Sequence, residues 1–315
     1  MPETIRLGLL RLCDAAPVIL ADREAIFSEH GIDVKLFVEP SWANIADKLS
    51  YGLLDGAVML PPLAIACAAG LRGRKTAICI PMEISANGNA VTLAARWQEA
   101  FLANGIVQVA CQKKLRLAVV HGFSTHDLLL RYWLAQASVD PETQVDICVL
   151  PPAEMVGSLA AGAIDGFCVG APWGHVAAHA GLGFIATTSR DILPNHPEKC
   201  LALREDFVNR DPAGTTGLLR ALRVASAICA IPERRPGLAA LLAEPGYLDL
   251  PAALIEQAMA PQAGGPIFTR QYPSPERAAW FAEQMQLWGK AGPEISGIVA
   301  RLYQPKLFVA AGGEM

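Results

Sequence analysis

The chain has 315 residues, more than one compact core usually holds, and its length is read as two lobes. With 52% hydrophobic and 18% charged residues it is a packed globular chain, and disorder is excluded. The formal charge is −4 and the 26 Lys and Arg are scattered, which excludes a nucleic-acid or anionic-membrane face built on a basic run.

IRLGLL at residues 5–10 reads as a buried strand. No charged, apolar and cleavage regions of a leader stand before it, so a cytoplasmic location is expected. Cys13 and Asp14 follow. The eight cysteines show no CxxC and no zinc-type spacing, and most lie in apolar segments where a thiol acts as a small hydrophobe. VKLFVEP at 34–40 reads as a second strand, leading into the amphipathic helix of SWANIADKLSYG, closed by Gly52. Leu54-Asp55-Gly56 opens a third strand. The most apolar stretch, residues 57–71, is too short to span a bilayer and is interrupted by Pro61, Pro62 and Gly70.

The same order then returns at an offset of 110 or 111 residues: LRLAVV at 115–120, VDICVLPP at 145–152, AEMVGSLAAG at 153–162 and IDGFCVGAPW at 164–173. Each half is a β-α-β-α-β unit with parallel strands and helices on both faces. Asp55 and Asp165, each just before a strand, are expected to cap turns and fix backbone N–H groups. Two such lobes leave a cleft at the carboxyl ends of their strands, where open α/β sheets bind ligands.

After about residue 195 the pattern is helical, in LLRALRVASAICAI, AALIEQAM and PERAAWFAEQMQLWGK. This part is expected to pack on the first lobe, with the chain crossing between lobes near 94–114 and near 187–200. The expected units are 1–93 plus 200–315 for lobe one with the C-terminal helices, and 94–199 for lobe two.

No Walker loop, dinucleotide fingerprint, HExxH or GxSxG occurs. His175 and His179 have the spacing of a metal-binding pair without an evident third ligand. No catalytic residue, cofactor or metal is therefore expected, and the chain does not read as an enzyme. The informative polar residues lie where strands end. Trp42 stands at a helix start. In GFSTHD, Ser124 or Thr125 would cap a helix whose first N–H groups favour anions, with His126 as a further donor. Lys199 in NHPEKC sits at the second crossing.

Together CDAAPV (13–18), SWANIADKL (41–49), NGNAVTL (87–93), STHDLLLRYWL (124–134), PPAEMV (151–156), IDGFCVGAPW (164–173) and NHPEK (195–199) resemble the solute-binding proteins of bacterial nitrate and bicarbonate transporters. The resemblance is collinear over most of the chain. It implies an α/β, two-lobed, periplasmic-binding-protein-like fold of type II, with a mostly parallel sheet in each lobe. In the nitrate binders a tryptophan, a glutamine, a histidine and a lysine hold the anion, which implies Trp42, Asn89 (a shorter amide in place of glutamine), His126 and Lys199 here. Thr125 joins them from the same turn. The bicarbonate binders carry glutamate at the lysine position and use calcium, so Lys199 points to the nitrate branch. Ala171 stands where the family often has glutamate before Pro-Trp.

Nitrate is a small planar anion with weak acceptors, and a cleft for it needs one buried positive charge and a few directed donors. Four heavy atoms at a ceiling of ~1.5 kcal/mol each give about 6 kcal/mol, a Kd of roughly tens of micromolar. Tighter binding requires charge pairing in a closed cleft. With no export signal read, the resemblance implies a cytoplasmic nitrate or nitrite sensor of an assimilation operon. Its expected partner is an RNA-binding antiterminator protein, and it touches neither nucleic acid nor membrane itself. The alternative is the solute-binding component of an ABC transporter for nitrate or a related small anion. An enzyme on the same scaffold ranks behind both, with Cys13 beside Asp14 as its only candidate.

Overall fold

A computed structural model describes residues 3–314. Among them the chain forms ten strands: β1 (Ile5–Leu9), β2 (Val34–Val38), β3 (Gly56–Met59), β4 (Ile78–Ala86), β5 (Asn89–Ala94), β6 (Leu115–Val119), β7 (Val145–Val149), β8 (Gly166–Gly170), β9 (Gly183–Thr188) and β10 (Pro197–Arg204). They build two five-stranded sheets, ordered β2-β1-β3-β10-β4 and β7-β6-β8-β5-β9. In each sheet the first three strands are parallel and the fourth runs antiparallel to both neighbours. Each is thus a mixed sheet flanked by helices, as the α/β two-lobed reading expects.

The repeated Asp-Gly has a structural cause in both halves. Asp55 Oδ2 accepts from the Arg6 backbone N–H at 3.0 Å, and Asp165 Oδ2 does the same for Arg116 at 3.0 Å. The aspartate backbone returns the bond, donating to the carbonyls of Arg6 and Arg116 at 2.9 and 2.7 Å. Each carboxylate thereby pins the first strand of its β-α-β-α-β unit. The following glycine is required by space. A Cβ on Gly56 would lie 2.5 Å from Leu203, and one on Gly166 would lie 2.6 Å from the Thr92 carbonyl oxygen.

β5 and β10 are equivalent strands in the two lobes, because Leu93 faces Gly166 in one ladder as Leu203 faces Gly56 in the other. Asn89 and Lys199, 110 positions apart, therefore lie at corresponding places near the starts of these two strands. The two strands are entered along two adjacent connectors. The first is Asn87-Gly88, with φ of +55° and +94°, and the second includes Asn195, with φ of +61°. The Asn87 N–H donates to the His196 carbonyl at 3.1 Å, so the connectors run side by side.

This placement corrects the expected units. β5 pairs with β8 and β9, so residues 89–94 lie in the second sheet and the first crossing is at 87–88, not at 94–114. Residues 197–199 belong to β10 in the first sheet, although 94–199 was expected as one lobe. The cause is that each lobe borrows one antiparallel strand at its crossing, and the alternation of NAVTLA gives a strand without saying whose sheet it joins.

The C-terminal helices pack on the first lobe: Pro212–Cys229 on Ala16–Arg23, and Pro275–Leu287 and Ile295–Leu302 on Pro61–Ala69. They also reach the second. Pro275–Leu287 packs on Thr125–Gln136, where Trp280 meets Tyr132 edge-on at 6.0 Å and the Arg131 guanidinium lies 5.8 Å from the Trp288 ring. Lys290 joins Asp127 Oδ2 at 3.0 Å and donates to the Gly122 carbonyl at 2.9 Å. On the other side of the seam the Cys13 N–H donates to the Ala171 carbonyl at 2.9 Å. The lobes are closed on each other, and one apolar cluster contains Leu12 and Trp42 from the first with Phe167 and Val169 from the second.

Candidate functional site

Four loops and strand ends meet under the seam. After β2, Ser41 caps the helix Trp42–Ser50 by accepting from the Asn44 N–H at 3.2 Å. The cap fixes Trp42 as the first helical residue, and its ring turns inward with Nε1 lacking a protein partner among the described residues. After β6, Ser124 rather than Thr125 is the cap of the helix Thr125–Gln136, its Oγ accepting from the Asp127 N–H at 3.0 Å. Thr125 and His126 occupy the first turn, where N–H groups have no intrahelical acceptor and the helix dipole is positive. Both are fully buried, and the Thr125 hydroxyl and both His126 ring nitrogens have no hydrogen-bond partner among the described residues.

Asn89 opens β5 opposite Gly170, and Lys199 lies on β10 opposite Ser85. Gly170 packs against the Asp14 and Asn89 side chains: a Cβ there would lie 3.4 Å from Asp14 Oδ2 and 3.5 Å from Asn89 Oδ1, ordinary contact distances. Lys199 has no exposed surface, and its Nζ is 2.9 Å from Asp14 Oδ2, 2.5 Å from Glu198 Oε1 and 5.5 Å from the Trp42 ring centroid.

The residues expected from the sequence are thus brought to one buried place, but they converge on a side chain that was not expected. The Glu198 carboxylate accepts from Lys199 through Oε1 and from Asn89 Nδ2 through Oε2 at 2.6 Å. His196 Nε2 lies 3.2 Å from Oε2, and His126 Nε2 lies 3.6 Å from Oε1. Trp42 is tied to the group through Lys199. Thr125 lies beside His126 without a hydrogen bond to the others. Asp14, His196 and Glu198 all lie inside CDAAPV and NHPEK, yet their convergence depends on which strand β10 pairs with, and that was misplaced.

The electrostatics follow from burial and these contacts. Burial pushes the Glu198 carboxyl up, but Lys199, His126 and His196 outweigh it and hold it at about 2. Burial pulls the Lys199 ammonium down, and Asp14 and Glu198 more than reverse that. The Asp14 carboxyl is raised by burial against the pull of Lys199. Burial lowers His126 to about 3 despite the nearby Glu198 charge, so at neutral pH its imidazole is uncharged and donates from one nitrogen. The short His126–Glu198 approach is therefore a contact of a neutral ring, not an ion pair. Cys13 is fully buried with its thiol pushed well up by burial and then by Asp14, which makes it a core side chain without thiolate character.

The site can do one thing well. It gathers the Lys199 ammonium, the Asn89 carboxamide N–H and the neutral His126 ring from both lobes in one buried cluster beside the Trp42 indole, a set suited to holding a small planar acceptor group. Above it the seam opens as a groove of about 450 Å³ lined by Arg11, Glu39 and Ser41 of one lobe and Pro152, Glu154 and Trp173 of the other.

The profile of the NMT1-like family matches residues 1–243. The nitrate import ATP-binding protein NrtC of Synechocystis is 35% identical over 96% of this chain and 49% of its own length. The nitrate/nitrite binding protein NrtA of Synechococcus elongatus is 34% identical over 77% of this chain and 58% of its own. The chain thus spans about half the length of the curated relatives it matches. Among solved structures, the periplasmic nitrate-binding protein NrtA from Synechocystis superposes with a TM-score of 0.93 at 26% identity, covering 99% of this chain and 88% of that one.

Proposed function

The chain belongs to the NMT1-like family, and from that premise we propose that it is a solute-binding protein for nitrate or nitrite of the kind that serves ABC transporters. The observation that carries the proposal is the set of buried donors from both lobes, on Lys199, Asn89 and His126, gathered around the planar Glu198 carboxylate, with the Trp42 ring 5.5 Å from the Lys199 ammonium. The names of the relatives support binding and import ahead of the sensor expected from the sequence. The antiterminator partner has no counterpart in those names. The ATP binding in the name of the Synechocystis NrtC relative is not carried over, because the chain has no GxxxxGK[ST] loop.

Binding works by enclosure. In an open cleft each donor is paired with water; closing the lobes strips that water, and the anion then bridges groups from both sides. Calorimetric titration with nitrate, nitrite and bicarbonate tests the proposal. Micromolar binding of nitrate or nitrite with weaker bicarbonate binding is expected. Bicarbonate binding in preference to both nitrogen oxyanions would overturn it.

A further inference from the structure

Glu198 is anomalous in a site for anions. Lys199 already has a counter-charge in Asp14 at 2.9 Å, so a second buried carboxylate is not needed to neutralise it. Nor is Glu198 turned away: it has no exposed surface, and both oxygens lie where the donors point, Oε1 toward Lys199 and His126 and Oε2 toward Asn89 and His196. Glu198 and Lys199 lie on β10 of the first lobe and His196 in the connector just before it, whereas Asn89 and His126 come from the second lobe. A carboxylate is a planar O–C–O group, and nitrate and nitrite present a planar O–N–O edge of the same size and charge.

We propose that the Glu198 carboxylate is a tethered competitor for the anion: it occupies the ligand position in the closed protein, bridges the lobes there, and must be withdrawn before a free anion can engage Lys199 and Asn89. The inference rests on reading the cleft as an anion site. Its consequence is a selectivity threshold. Only an anion that regains from Lys199, Asn89 and His126 what Glu198 gives up can enter, and the chain's affinity is set below what its donors alone would reach.

Two variants separate this from a plain counter-charge. Glu198→Gln removes the charge; Glu198→Asp keeps it but draws the carboxylate back by one methylene, out of reach of Asn89. Calorimetry with nitrate and nitrite, and thermal shifts with these and with formate and acetate, read the result. Competition for position predicts that both variants bind nitrate or nitrite more tightly than the wild type, Glu198→Gln by roughly tenfold or more. Tightening by Glu198→Gln alone, with Glu198→Asp equal to the wild type, would reduce Glu198 to a counter-charge and overturn the proposal. So would equal or weaker binding by both. If neither nitrate nor nitrite binds any of the three proteins but formate or acetate stabilises both variants and not the wild type, the proposal stands and the nitrate reading falls. No response of any protein to any of the four anions would overturn both.

Discussion

His126 is held uncharged in the closed protein, and this has a consequence away from any ligand. Its folded value of about 3 lies below the ordinary 6.5, so between these limits the unfolded chain binds a proton that the folded chain does not. The stability due to neutral His126 is complete above pH 6.5 and is lost as pH falls toward 3, by about 1.4 kcal/mol per pH unit. Urea unfolding at pH 7.5 and 5.5 should therefore show the wild type losing roughly 1 kcal/mol more than His126→Gln. Equal losses would place the histidine in contact with water. At this scale the co-location of Trp42, Asn89, His126 and Lys199 in one buried place was legible through the resemblance. Glu198 was not legible, because charge logic argues against a carboxylate beside an anion and only the pairing of β10 brings it there.

The repeated element, a helix end followed by Asp-Gly and a strand, was legible as a turn-fixing device and is one. Asp55 also receives the Arg6 guanidinium at 2.8 Å, and Asp165 receives Arg96 at 2.7 Å and Lys113 at 2.9 Å. Burial pushes both carboxyls up, and the bonds from Arg6 and from Arg116, Lys113 and Arg96 hold them below the ordinary range. Asp55→Asn and Asp165→Asn should each cost about 1–3 kcal/mol in urea unfolding, since each leaves a buried backbone N–H and a cation with a weaker acceptor. Neither lies at the seam, so anion affinity measured on the same samples should be unchanged. The crossing strands were less legible. NAVTLA and PEKCLALR announce strands by their apolar content, but partner choice is a long-range matter that local pattern does not encode.

For the whole molecule, two-lobed architecture followed directly from the 110-residue repeat, whereas the closure did not. Closure is held by contacts between distant segments, Cys13 with Ala171 and Lys290 with Gly122 and Asp127, and by the helix Pro275–Leu287 reaching across to the second lobe. An anion bound at this seam would be grasped from both sides, and nitrate titration of Thr125→Val and His126→Gln beside the wild type, with unfolding temperatures at pH 7.5 on the same samples, decides whether it is. The polar atoms of these second-lobe side chains have no hydrogen-bond partner among the described residues, so their replacement breaks no hydrogen bond within the protein. Unfolding temperatures close to the wild type are expected, with nitrate affinity lower by roughly tenfold for His126→Gln and less for Thr125→Val. Unchanged affinity in both variants would mean that the second lobe does not hold the anion and that grasp from both sides is wrong.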